Sequence, residues 1–66
     1  MTDKQWLKEA RKAMAVATRQ LIADKESKSV RDAWIRAKRE STAAELAVIT
    51  GGRAMSYAFW VSETND

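Results

Sequence analysis

A single glycine pair, Gly51-Gly52, is the only interruption in a chain of 66 residues that contains no proline. Proline removes a backbone donor and clashes with the preceding turn, and glycine carries a high entropic cost in a helix. A chain almost free of both has few places where a helix must stop. Abundant Ala, Lys, Arg and Glu favour helix as well. The expected fold is all-α: a small helical bundle, or an antiparallel helical hairpin with a C-terminal apolar segment that is helix or short strand. The length makes one domain, 1–66, and a chain this short buries only about 60% of its unfolded surface. With no Cys and no His, neither a disulfide nor a zinc site can add stability. A homodimer, or attachment to a larger protein, is the expected remedy.

The first helix is predicted from about Asp3 to Ala23. Thr2 is its N-cap and Gln5, three residues on, completes a capping box. Leu7, Ala10, Met14, Ala17 and Leu21 follow 3-4 spacing and form one apolar seam, with Trp6 beside its start. The small residues on that seam admit a second helix at close range. On the other side Lys4, Lys8, Arg11, Lys12 and Arg19 fall within a roughly 100° arc, and the phase of Asp3 and Glu9 places both outside it. Charge of one sign along a helix face repels itself unless an anion neutralises it.

The polar run from Asp24 to Ser29 is the expected connection, with Ser29 capping a second helix and Asp32 at its N3 position. Val30, Ala33, Trp34 and Ala37 give that helix a seam, and Asp32 and Arg36 make a supportive i, i+4 pair. Ile35 points off the seam and suggests a second contact surface. No Gly or Pro separates Ser29 from Gly51, so the segment 29–50 reads as one long helix or as two. The case for two is Thr42, which with Glu45 matches a capping box ahead of an apolar side made by Leu46, Ala47 and Ile49. Gly51 and Gly52 supply the positive φ at which helices commonly end. Beyond them Met55, Ala58 and Phe59 have helical spacing, while the alternation of Met55, Tyr57, Phe59 and Val61 has the period of a strand.

Residues 42–61 carry a resemblance. Glu45, Leu46, Ala47, Gly51, Tyr57 and Trp60 resemble the helix-turn-helix of small bacterial and phage repressors, in which Glu-Leu-Ala is followed after three residues by Gly, then by a hydrophobic position and a Trp. The resemblance implies a DNA-binding regulator with 42–51 as supporting helix and 53–61 as recognition helix. Arg53 and Ser56 would touch base edges or phosphates, and either Lys8, Lys12 and Arg19 or Arg36 and Arg39 would hold the backbone. The sequence departs from the pattern at Gly52, where a branched apolar residue is usual. A fainter likeness is to the head–tail joining protein (protein W) family of lambdoid phages, carried by Leu7, Ala10, Arg11, Ala13, Ala44, Glu45, Leu46, Val48, Thr50 and Gly51. That fold implies a β-hairpin between two helices, for which residues 18–37 offer no glycine and no alternation.

Catalysis finds no foothold. His and Cys are absent, no carboxylate pair shares an apolar face, and the glycine pair lacks the spacing and lysine of a phosphate loop. No enzyme activity, cofactor or metal is expected. No apolar run approaches the ~20 residues that span a bilayer, and the start lacks a signal sequence, so a soluble cytoplasmic protein is expected. The net charge of +3 permits an anionic partner, either DNA or an acidic protein surface. The alternative to DNA binding is a protein–protein module, a phage assembly component or an inhibitor of a host protein, with Trp34, Tyr57, Phe59 and Trp60 as anchors.

Overall fold

The first helix starts where the Thr-x-x-Gln pattern places it. The Thr2 hydroxyl accepts from the Gln5 N–H at 3.2 Å, and Gln5 Oε1 accepts from the Thr2 N–H at 3.0 Å. Two donors that the helix itself cannot satisfy are thereby paired. A computed structural model describes residues 1–64 and contains α1 (Asp3–Ala23), α2 (Lys28–Ile49) and α3 (Tyr57–Thr64), with no strand among the described residues. α1 and α2 form an antiparallel hairpin, and α3 folds back onto its open end. No helix among the described residues is long and apolar enough to cross a membrane.

One local expectation is corrected and one open alternative is decided. The second helix is capped by Ser27 rather than Ser29, because the Ser27 hydroxyl reaches the Val30 N–H at 3.3 Å and the helix begins at Lys28. It also runs through Thr42 without a break. The Thr42 hydroxyl donates back to the Lys38 carbonyl at 2.9 Å, as mid-helix threonines do. A capping box forms only where backbone donors lack partners, and inside α2 each N–H already has the carbonyl four residues back. The Asp32–Arg36 pair does not close to within 4 Å, the only such ion pairs among the described residues being Arg11–Glu45 and Lys12–Glu9.

The glycine pair ends α2 as expected. Gly51 has φ +62° and Gly52 +87°. The Gly52 N–H bonds to the Ala47 carbonyl at 2.9 Å and the Gly51 N–H to the Val48 carbonyl at 3.3 Å, the paired bonds of a Schellman motif. A side chain at Gly51 would force an L-residue into the left-handed region.

The tail is helical because its first donors find caps. The Ser56 hydroxyl accepts from the Phe59 N–H at 3.1 Å, and Asp3 Oδ1 accepts from the Tyr57 N–H at 2.9 Å across 54 positions of sequence. One carboxylate in the first turn of α1 thus also tethers the first turn of α3, where the positive end of the helix dipole favours it. The period of two in this segment comes to nothing because no neighbouring strand is present to pair with it. Asp3→Ala is expected to cost about 1 kcal/mol, typical of a lost cap. Its mark would be partial release of α3, read as a change in tryptophan emission that Asp3→Asn largely avoids.

The core lies at that end of the hairpin. It consists of Trp6, Ala10, Ala43, Ala44 and Ala47, with Leu7, Met55, Tyr57 and Trp60 packed against it. Tyr57 meets the Trp6 ring edge-on at 5.6 Å between centroids, and Trp60 lies 5.9 Å away. α3 covers one side of the hairpin there. Toward the turn the same side is open, so Ala13, Val16 and Ala33 are exposed, although Ala33 was expected on the seam. The molecule is a slab of 38 × 24 × 16 Å, too thin to enclose many large side chains.

Candidate nucleic-acid interface

Helical phase sets the basic face. α1 must turn Trp6, Ala10 and Ala17 toward the core, which leaves Lys4, Lys8, Lys12 and Arg19 on the outer side and Arg11 on the flank nearest α2, all exposed. From Lys4 to Arg19 the row extends about 22 Å at 1.5 Å per residue. Lys4, Lys8, Arg11 and Lys12 line a shallow depression of about 410 Å³ whose floor is Leu7 and Ala15. No carboxylate lines the depression itself, so an anion can approach Lys4 and Lys8 directly.

The arc is not wholly free of acid, and here the sequence reading needs correction. Glu9 reaches Lys12 at 3.7 Å through i, i+3 spacing, and Glu45 on α2 reaches Arg11 at 4.0 Å. Phase alone placed Glu9 outside the arc, but its side chain is long enough to bend back. These pairs are well exposed and contribute little to stability. Lys4, Lys8 and Arg19 have no carboxylate within 4 Å among the described residues.

The other cations expected at this interface lie elsewhere. Arg36 and Arg39 line a separate depression of about 280 Å³ with Glu40, Trp60 and Thr64, and it shares no residue with the α1 site. Arg53 sits in the bend before α3, exposed, its N–H on the Thr50 carbonyl at 3.3 Å. Ser56 caps α3, its hydroxyl oxygen accepting from the Phe59 N–H, which fixes the side chain against its own helix. Neither residue is on the helix itself, and the exposed residues of α3 are Ala58, Phe59, Ser62, Glu63 and Thr64. None of these is the Arg, Lys, Asn or Gln that makes bidentate contacts to base edges.

The four aromatic anchors also separate. Tyr57 and Trp60 pack inward on Trp6, whereas Phe59 is 52% exposed. Trp34 is half-buried between the helices. Its indole N–H donates to Thr18 Oγ1 at 3.1 Å, the Thr18 hydroxyl donates to the Met14 carbonyl at 2.8 Å, and Lys38 Nζ lies 5.2 Å from its ring centroid. Trp34 therefore fastens the hairpin halfway along its length, where no third helix covers it.

Sequence reasoning missed Glu45 as a partner of the basic face and Asp3 as the tether of α3. Both act across helices, and no local spacing signals them. Comparison with protein-family models, with curated proteins and with solved structures finds no match for this chain.

Proposed function

We propose that the protein is a small non-enzymatic nucleic-acid-binding protein that grips the phosphate backbone through the basic face of α1. The observation that carries this reading is the exposed row Lys4, Lys8, Arg11, Lys12 and Arg19 with only two weakly paired members. Phosphates at regular spacing are the anions that such a row fits, and neutralising them releases condensed counterions. Contacts of this kind position a protein on the duplex without reading sequence. Helix-turn-helix recognition receives less support from the geometry. Residues 50–56 separate α2 from α3, and Arg53 lies ahead of the helix it would need to lead. We also read the working species as oligomeric, because a core made largely of alanine leaves a thin margin of stability.

Binding to random-sequence duplex DNA, measured by anisotropy at ~50 and ~200 mM salt, tests the reading. With about four phosphates neutralised, that rise in salt is expected to weaken binding on the order of 100-fold. Lys8→Glu, Lys12→Glu and Arg19→Glu together should abolish binding while leaving the circular dichroism unchanged, since all three side chains are exposed. Absence of binding at ~50 mM salt would overturn the proposal. A protein partner is the second reading, favoured by the exposure of Phe59. It predicts a complex that survives the triple charge reversal and is lost on Phe59→Ala.

A further inference from the structure

The outer face of α2, turned away from α1, carries an apolar stripe that nothing in the described chain covers. Ile35, Thr42 and Ile49 recur every seven residues, and Leu46 lies within a turn of the last two. At ideal geometry the four fall within a roughly 60° arc. Ile49 is 80% exposed, Ile35 42% and Leu46 40%. A groove of about 490 Å³ runs beside them along Trp34, Ile35, Arg39, Thr42 and Leu46. Two isoleucines and a threonine on one heptad position give the spacing by which helices pack lengthwise against one another, and 35 to 49 gives about 21 Å of such contact.

The charges along the stripe decide which helix fits. Lys38 and Glu45 are themselves seven residues apart, on one edge of the stripe, and Arg39 stands on the other. We propose that this face joins two copies of the chain, α2 against α2 in antiparallel, with the twofold axis passing near Thr42. Such an axis places opposite one another the positions equidistant from Thr42 and keeps each edge facing its own counterpart. Ile35 then meets the partner's Ile49, and Thr42 meets the partner's Thr42. Lys38 stands across from the partner's Glu45, and Glu45 from the partner's Lys38. Leu46 lies against the aliphatic stem of the partner's Arg39.

A parallel pairing exchanges the edges. It sets Lys38 against the partner's Arg39 and leaves Glu45 opposite the partner's Leu46, so the charge pattern selects the antiparallel form. Glu45 leans toward Arg11 at 4.0 Å, but its side chain is half exposed and can serve a second cation. The dimer would be a layered slab in the order α1, α2, α2, α1, with both basic faces outward. Self-association and anion binding would therefore use opposite sides of the hairpin. This inference rests on the reading of the chain as oligomeric and does not depend on nucleic-acid binding.

Sedimentation of the full chain over a wide concentration range tests it. The expected result is a rise toward twice the 7.4 kDa chain mass. Leu46→Glu and Ile49→Glu should each hold the protein at chain mass with unchanged helicity, whereas Phe59→Glu should not. Lys38→Glu or Glu45→Lys alone should weaken the dimer at least 10-fold, and the two together should restore it. A wild-type chain that is monomeric throughout would overturn both the oligomeric reading and this face. A dimer indifferent to Leu46→Glu and Ile49→Glu would overturn the face alone, and failure of the double charge swap to restore association would overturn the antiparallel seating. A monomer whose Ile35 and Leu46 signals shift on adding an acidic amphipathic helical peptide would overturn self-docking in favour of a foreign helix.

Discussion

Trp6→Ala is expected to unfold most of the protein at room temperature. Trp6 is the one large side chain that the fold encloses, at 1% exposure, and every element meets on it: Ala10 from α1, Ala43, Ala44 and Ala47 from α2, Tyr57 and Trp60 from α3. Truncating a buried Trp typically costs about 3–5 kcal/mol, the sum of lost transfer energy and the cavity left behind. A domain of this size has about 3–5 kcal/mol in total to lose. The indole N–H also donates to Glu40 Oε2 at 3.1 Å, so the substitution strands a partly buried acceptor as well. Trp6→Phe is the milder variant. It keeps most of the packing, loses the hydrogen bond together with three buried ring atoms, and should cost about 2–3 kcal/mol. Thermal melts followed by circular dichroism would show a cooperative but lowered transition for Phe and little transition at all for Ala. A well-folded Trp6→Ala protein would mean that the alanine-lined interface holds the hairpin without its anchor.

Helix existence was legible in the sequence because it depends on local chemistry. The Thr2–Gln5 box, the missing proline and the glycine pair bound α1 and the end of α2 correctly. That the segment 29–50 is one helix rather than two has a physical explanation. Thr-x-x-Glu is a cap only in competition with the helix that would otherwise continue, and at Thr42 continuation wins because the preceding turns are well formed from Ser27 onward. While both alternatives stood, the outer stripe was hidden. If α2 were cut at residue 42, Leu46 and Ile49 would belong to a new helix of arbitrary phase and form its apolar side. In the unbroken helix they share a phase with Ile35, whose outward direction the sequence did disclose.

The basic face was legible for the same reason, since phase within α1 follows from its apolar seam. What the seam could not disclose was the third helix. The docking of α3 depends on Asp3 meeting Tyr57 and on Trp6 meeting Trp60, contacts between residues more than fifty positions apart. These also explain why Tyr57 and Trp60 are not free to anchor a partner while Phe59, between them in sequence, is turned to solvent. An eight-residue helix presents one side only, and the hairpin takes the side that carries the two larger polar-tipped rings.

Ala44→Leu is the second large effect expected. Ala44 has no exposed surface and sits with Ala10, Ala43 and Ala47 against Trp6, so the two long helices touch through methyl groups. Interaxial separation follows side-chain size and ranges from about 8 to 10 Å, and small residues hold a pair near the lower limit. Three additional carbons at Ala44 have no cavity to enter. Either the helices separate, uncovering Trp6 and loosening α3, or the leucine adopts a strained rotamer. Overpacking typically costs about 1–3 kcal/mol, a large share of the about 3–5 kcal/mol that a 66-residue chain can spare. Ala33→Leu is the matched control. It lies on the same helix, changes the same atoms and barely alters helix propensity, but Ala33 is exposed where α3 does not reach, so its effect should stay within about 0.5 kcal/mol. Chemical denaturation of both variants distinguishes close packing from mere helicity. Equal stability for the two would mean that the hairpin can breathe at its core, and the close approach of α1 and α2 would then carry none of the fold's specificity.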